Sequence, residues 1–93
     1  MAERLSDDAV AAGLEGSVWK REGDGIARDY TFADFKEAIA FVNRVAEAAE
    51  AANHHPDILV HDWNKVRLVL STHSVGGLTQ GDLDMAERID GMS

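Results

Sequence analysis

The 93-residue sequence predicts an α+β domain: a four-stranded antiparallel sheet with three helices on one face, in the order α-β-β-α-β-β-α. Three observations carry that expectation. Two strand-like runs meet at a glycine-bearing turn, "EGDG". A long amphipathic stretch follows, and then a second pair of strand-like runs closely joined to each other. Strands that arrive in hairpins pair antiparallel, and the helices between and around them are left to cover one sheet face.

The elements follow in order. In "LSDDAVAAGLEG", Ser6 is placed to cap a short helix whose first turn holds Asp7 and Asp8, where the helix dipole favours negative charge; Gly13 and Gly16 mark its end. "SVWKR" and "IARDYTF" flank the turn and predict a hairpin over about residues 17–32. In "TFADFKEAIAFVNRVAEAAEAAN", Thr31 and Asp34 resemble a capping box. Phe35, Ile39, Val42, Ala46 and Ala49 then recur at helical spacing, with Phe41 and Val45 widening the apolar stripe. Pro56 disfavours helix at His55 and Asn53 tolerates the left-handed conformation, so this helix is expected to stop near Asn53. "ILVHDW" and "KVRLVLSTH" read as strands linked around Asn64; in the second, Val66, Leu68, Leu70 and Thr72 share one side, and His73 ends the run. After the turn "SVGG", Thr79 with Asp82 three residues on caps a last helix.

Composition bounds the function. The chain is short enough for one domain spanning residues 1–93, and a chain of this size buries only roughly 60–65% of its unfolded surface, so contacts between subunits would help it. Seventeen acidic against nine basic residues give a net charge of −8, which argues against a nucleic-acid partner. With no cysteine there is neither a disulfide framework nor a thiolate nucleophile. "MAERLSDDAV" lacks the pattern of a secretory signal and no run approaches the ~18 apolar residues of a membrane span, so a cytoplasmic protein without membrane attachment is expected.

All four histidines lie between residues 54 and 73, and three of them, His54, His55 and His73, sit at the two ends of that segment. Histidines at a helix exit are often merely solvated, and His61, beside Asp62 in a strand, has no companion. The topology favours more: two strands of similar length return the chain toward the level of His54 and His55. Imidazole, with an unperturbed pKa of about 6.5, both gives and takes protons near neutrality. A neutral and a protonated member together suit dehydration, and imidazole with carboxylate also suits a metal. Glu50, one turn before His54, is placed to orient an imidazole. Trp19 is either core or a stacking wall for a flat ligand.

"EAANHHPD", followed seventeen residues after Pro56 by "TH" and then "GLT..D", resembles the pterin-4a-carbinolamine dehydratases. Animal members of that family also act as dimerisation cofactors of a homeodomain transcription factor. The resemblance runs from about Trp19 to Ile89. It implies the fold read above, and loss of water from 4a-hydroxytetrahydrobiopterin or a related 4a-hydroxytetrahydropterin to give quinonoid dihydropterin, in recycling the cofactor of aromatic amino acid hydroxylases. Carried over by position, it implies His54 and His73 as acid and base and His55 as chiefly a pterin-binding group. Pro56 would shape the turn, Glu50 and Asp82 would orient histidines or ring nitrogens, and Trp19 would lie near the pocket. It further implies no metal or organic cofactor, and a homodimer or homotetramer. A protein-interaction module, or an accessory protein of molybdopterin-dependent enzymes, is the alternative.

Overall fold

A computed structural model describes residues 3–92. The elements are α1 (Asp7–Gly13), β1 (Lys20–Glu22), β2 (Gly25–Thr31), α2 (Phe35–Ala52), β3 (Asp57–His61), β4 (Lys65–Leu70), a single 3₁₀ turn (His73–Val75) and α3 (Gln80–Asp90). The strands form one antiparallel sheet in the order β1-β2-β4-β3. Class, strand number, helix number and order are those the sequence predicts.

Register explains how one face becomes the core. Ile26 lies opposite Leu70, and Tyr30 opposite Val66, so these residues and Leu68 point to the same side and all five are buried. Against them pack Val10 of α1, Ala38, Phe41, Val45 and Ala48 of α2, and Met85, Ala86 and Ile89 of α3. The opposite face carries charge: Arg67 of β4 reaches Asp29 on β2 at 2.8 Å and Glu22 on β1. Hydrogen bonds from Arg67 to Asp29 and then Glu22 hold its pKa above the ordinary value, which only reinforces a permanent cation.

The caps differ in one place from expectation. Ser6 caps α1 by accepting from the Ala9 amide at 3.1 Å, and Asn53 closes α2 in the left-handed conformation at φ 51°. At the start of α2, however, the cap is Asp34 itself, extended at φ −153° and accepting from the Glu37 amide at 2.8 Å, while Thr31 still belongs to β2. Thr31 pairs with Lys65 in the sheet, so it is not free to turn into a helix. Asp34→Ala is accordingly expected to cost about 1 kcal/mol, or roughly 4–8 °C in Tm, whereas Thr31→Ala stays within about 0.5 kcal/mol. Thermal melts showing equal losses would restore Thr31 as the cap.

The buried stripe of α2 is also rotated from the predicted one. Ala38, Phe41, Val45, Ala48 and Ala49 face the core, while Phe35 is 54% exposed and Ala46 is exposed. Phe41 decides the rotation, because its ring packs against Tyr30 at 4.5 Å and Phe32 at 5.1 Å between centroids.

The first hairpin is tighter than the sequence pattern suggests and the second is looser. Between β1 and β2, Glu22 pairs with Gly25 across the turn Gly23-Asp24. Between β3 and β4, Asp62 and Trp63 leave the strand and adopt left-handed conformations at φ 47° and 56°, costing roughly 1–2 kcal/mol each. Asn64 offsets this by donating from its side chain to the Phe32 carbonyl at 2.9 Å and accepting the Phe32 amide on its own carbonyl at 2.8 Å.

Candidate active site

The register of the last hairpin sets the site. Asp57 lies opposite Val69, so the segment just before Asp57, with His54, His55 and Pro56, returns to the level of the end of β4. There the chain departs from the predicted strand. β4 ends at Leu70, Thr72 forms an isolated bridge with Gly77, and His73 begins the 3₁₀ turn. Gly76, at φ 63°, makes that reversal possible, so His73 stands off the sheet rather than closing a strand.

The capping box of α3 is the centre of the arrangement. Asp82 is fully buried, and its Oδ2 accepts the Thr79 amide at 2.9 Å and the Thr72 hydroxyl at 2.7 Å. Its Oδ1 lies 2.5 Å from His54 Nε2. A carboxylate can only accept, so His54 Nε2 carries the proton in this bond and Nδ1 is the ring nitrogen left for other chemistry. Nδ1 lies on the side of Gly81, where a Cβ would sit 3.8 Å away; glycine leaves that side of the ring uncovered. Burial of a carboxylate is costly unless it is hydrogen-bonded, and Asp82 accepts from the Thr79 amide, the Thr72 hydroxyl and His54 Nε2.

Two cavities flank this network. One, about 270 Å³, is lined by Asp24, Ser71, Thr72, His73, Gly76 and Gly77. The other, about 310 Å³, is lined by His54 with Asn53, Gly81, Asp84 and Arg88 among others. Thr72 borders the first, His54 the second, and Asp82 bonds to both. Each is near the lower end of the ~300–1,000 Å³ usual for small ligands, a size suited to a compact flat ring with part of it in solvent. Asp24 reaches the first cavity because Gly25 packs directly on β4: a Cβ there would lie 2.7 Å from the Leu70 carbonyl oxygen.

The predicted residues are therefore placed unevenly. His54 and Asp82 are in direct contact, and His73 follows Thr72, which Asp82 also holds. His55 turns to Glu50, its Nε2 bonded to that carboxylate at an exposed position, and Pro56 is half-buried between the helix exit and β3. Trp19 is not brought to the histidines. It is buried in the core with Nε1 donating to Asp90 at 2.8 Å, at the other end of α3, eight residues or roughly 12 Å along the axis from Asp82. Asp90 also pairs with Arg28 at 2.5 Å, so Trp19 belongs to a structural cluster in this chain. Among the described residues no group of three or more His, Asp or Glu is arranged to hold a metal ion, and no helix is long and apolar enough to cross a membrane.

Sequence reasoning overlooked Thr72 and Asp24. A signal for Thr72 existed, since alternation already put it on the buried side with Leu68 and Leu70, where a hydroxyl needs a partner. For Asp24 there was none beyond its place in a turn.

Comparison with known proteins identifies the family. Residues 3–92 match the family model described as pterin 4 alpha carbinolamine dehydratase. A relative from Thermomicrobium roseum classed among the pterin-4-alpha-carbinolamine dehydratases is 49% identical over 85 residues, 89% of this chain and 90% of its own length. One from Nocardia farcinica, classed likewise, is 52% identical over 89 residues, covering 95% and 93%. A crystal structure titled transcriptional coactivator/pterin dehydratase from Brucella melitensis superposes with a TM-score of 0.90 at 30% identity, covering 97% of this chain and 98% of its own. With a match spanning nearly its whole length and the helix-capping aspartate bonded to a histidine of the "HHP" turn, the chain belongs to the pterin 4 alpha carbinolamine dehydratase family.

Proposed function

We propose that this chain removes water from 4a-hydroxytetrahydrobiopterin or a related 4a-hydroxytetrahydropterin, giving quinonoid dihydropterin by histidine general acid and base catalysis. The observation that carries the reading is the bonded series His54, Asp82 and Thr72 ending beside His73. The series holds the His54 imidazole at the edge of one cavity and Thr72 at the edge of the other, which His73 also lines.

The atoms balance without help from another group. One imidazolium gives a proton to the 4a-hydroxyl, the C4a–O bond breaks with its electrons leaving on water, and the N5 proton passes to the second imidazole as the C4a=N5 bond forms. His54, acting through Nδ1, and His73 are the acid and base, and His55, held by Glu50, contributes to holding the ring. Because proton transfer completes the elimination, the reading calls for no metal or organic cofactor. The product is a spent form of a hydroxylase cofactor, which links the chain to an aromatic amino acid hydroxylase in the cytoplasm.

Generating the carbinolamine in situ and following quinonoid dihydropterin by absorbance tests this. Acceleration over the uncatalysed background is the expected result. A folded protein that gives none, and instead captures a defined protein partner, would shift the reading to an interaction module; the Brucella melitensis protein is itself described as a transcriptional coactivator as well as a pterin dehydratase.

We further propose a homo-oligomer. Phe35 and Ile39 line an open hollow on α2 with Lys36, Ala40 and Asn43, and with Val42 and Ala46 they continue a four-three spacing suited to a second helix. A second copy of α2 is the proposed occupant. Light scattering should return a multiple of 10.1 kDa, falling to a single chain in Ile39→Glu; a wild-type mass of one chain would contradict it.

A further inference from the structure

We infer that Thr72 is a positioning residue that couples the His54 side of the site to the His73 side through the Asp82 carboxylate. The inference deepens the dehydratase reading, and its kinetic arm rests on that reading.

The hydrogen-bond inventory makes the case. A threonine hydroxyl has one proton to donate and two lone pairs to receive with. Thr72 Oγ1 is 2.7 Å from Asp82 Oδ2 and 2.9 Å from Thr79 Oγ1. A carboxylate oxygen can only accept, so the Thr72 proton goes to Asp82. The Thr79 hydroxyl then donates to Thr72 at 2.9 Å in preference to Asp82 Oδ2, which lies 3.5 Å away, and the Thr79 oxygen receives the Asp82 amide in the capping box. The direction is thus fixed along the whole line: Thr79 to Thr72, Thr72 to Asp82, and His54 Nε2 to the other Asp82 oxygen at 2.5 Å.

The consequence for His54 follows from the saturation of Oδ2. With the Thr79 amide and the Thr72 hydroxyl both on Oδ2, the plane of the Asp82 carboxylate is set by two donors on one side, and Oδ1 is aimed at a single partner. Thr72 therefore helps to hold the His54 ring, twenty-eight residues from Asp82 in sequence, with its Nδ1 presented away from the bond. The second lone pair of Thr72 is unclaimed by any described side chain, and the residue lines the His73 cavity. A donor on a ligand there would add to the same line. Thr72 touches both halves of the site, and its backbone bridge to Gly77 fixes its position independently of the side chain.

Thr72→Val preserves shape and backbone while removing the hydroxyl, and Thr72→Ser preserves the hydroxyl. Two readouts are paired on the full chain: the imidazole nitrogen NMR signals of His54, and kcat and KM for the 4a-hydroxytetrahydropterin, with a thermal melt confirming that each variant is folded. The valine variant is expected to shift the His54 Nε2 signal and to lower kcat about 10–100-fold, the worth of one hydrogen bond to a charged group, with serine restoring both. An unchanged His54 signal in folded Thr72→Val overturns the coupling, whatever happens to kcat. A His54 signal shifted in Thr72→Val, with a folded wild-type chain that shows no turnover, supports the coupling while removing the dehydratase reading, so the two claims fail separately.

Discussion

Replacing His73 with alanine is expected to slow dehydration of a 4a-hydroxytetrahydropterin by about 10²–10⁴, the usual contribution of one general acid or base, with little change in stability. The structure separates the two effects cleanly. His73 is exposed, and among the described residues its ring makes no hydrogen bond or ion pair. It begins a 3₁₀ turn whose shape depends on the backbone of Thr72, Gly76 and Gly77 rather than on the imidazole. Deleting the ring therefore removes an imidazole at the edge of a cavity and leaves the surrounding fold in place. The loss should fall on kcat, since a group that moves a proton acts in the transition state. A folded His73→Ala variant with wild-type kcat would take this residue out of the chemistry.

Asp82→Ala is expected to act on the fold as well as on the rate. The substitution removes an acceptor from three donors at once, the Thr79 amide, the Thr72 hydroxyl and His54 Nε2, at a position with no access to water. Loss of the helix cap and of hydrogen bonds to a buried charge together should cost about 2–4 kcal/mol. For a domain of this size that is a fall in Tm of roughly 10–25 °C. Asp82→Asn retains one acceptor oxygen and is expected to fall between the two. By contrast, the exposed Glu50–His55 pair should contribute under about 1 kcal/mol, so Glu50→Ala serves as a control of similar chemistry. A Tm for Asp82→Ala within a few degrees of wild type would mean that the carboxylate is not the keystone of the α3 start.

The difference between His73 and Asp82 also shows what was legible in the sequence. Asp82 could be found twice over, as the partner of Thr79 in a capping box and by position in the family motif, because capping is a local rule read directly from spacing. The ends of the histidine segment could be brought together because strand pairing conserves level along the sheet. The helix stop at Asn53 was legible for the same local reasons. What local rules do not contain is competition between faces. On α2 two apolar stripes overlap, and only the Tyr30 and Phe32 rings on neighbouring elements select the one containing Phe41. Likewise, Trp63 is a good strand residue by type and extends the run that reads as a strand, whereas the left-handed turn of Asp62 and Trp63 is held by Asn64 bonding to a segment thirty-two residues earlier. Trp19 illustrates the remaining gap. Its composition fits both a core and a stacking wall, and the deciding contact is with Asp90, far along the chain.

The claim most in need of a direct test is that His54 and His73 serve one pterin. Titrating the chain with a stable dihydropterin, while following the imidazole signals of His54, His55, His61 and His73 by NMR, tests it without dependence on a transient substrate. The account predicts that His54 and His73 respond together, along one saturation curve, with His61 unmoved. Saturation that shifts only one of His54 and His73, or neither, would contradict it.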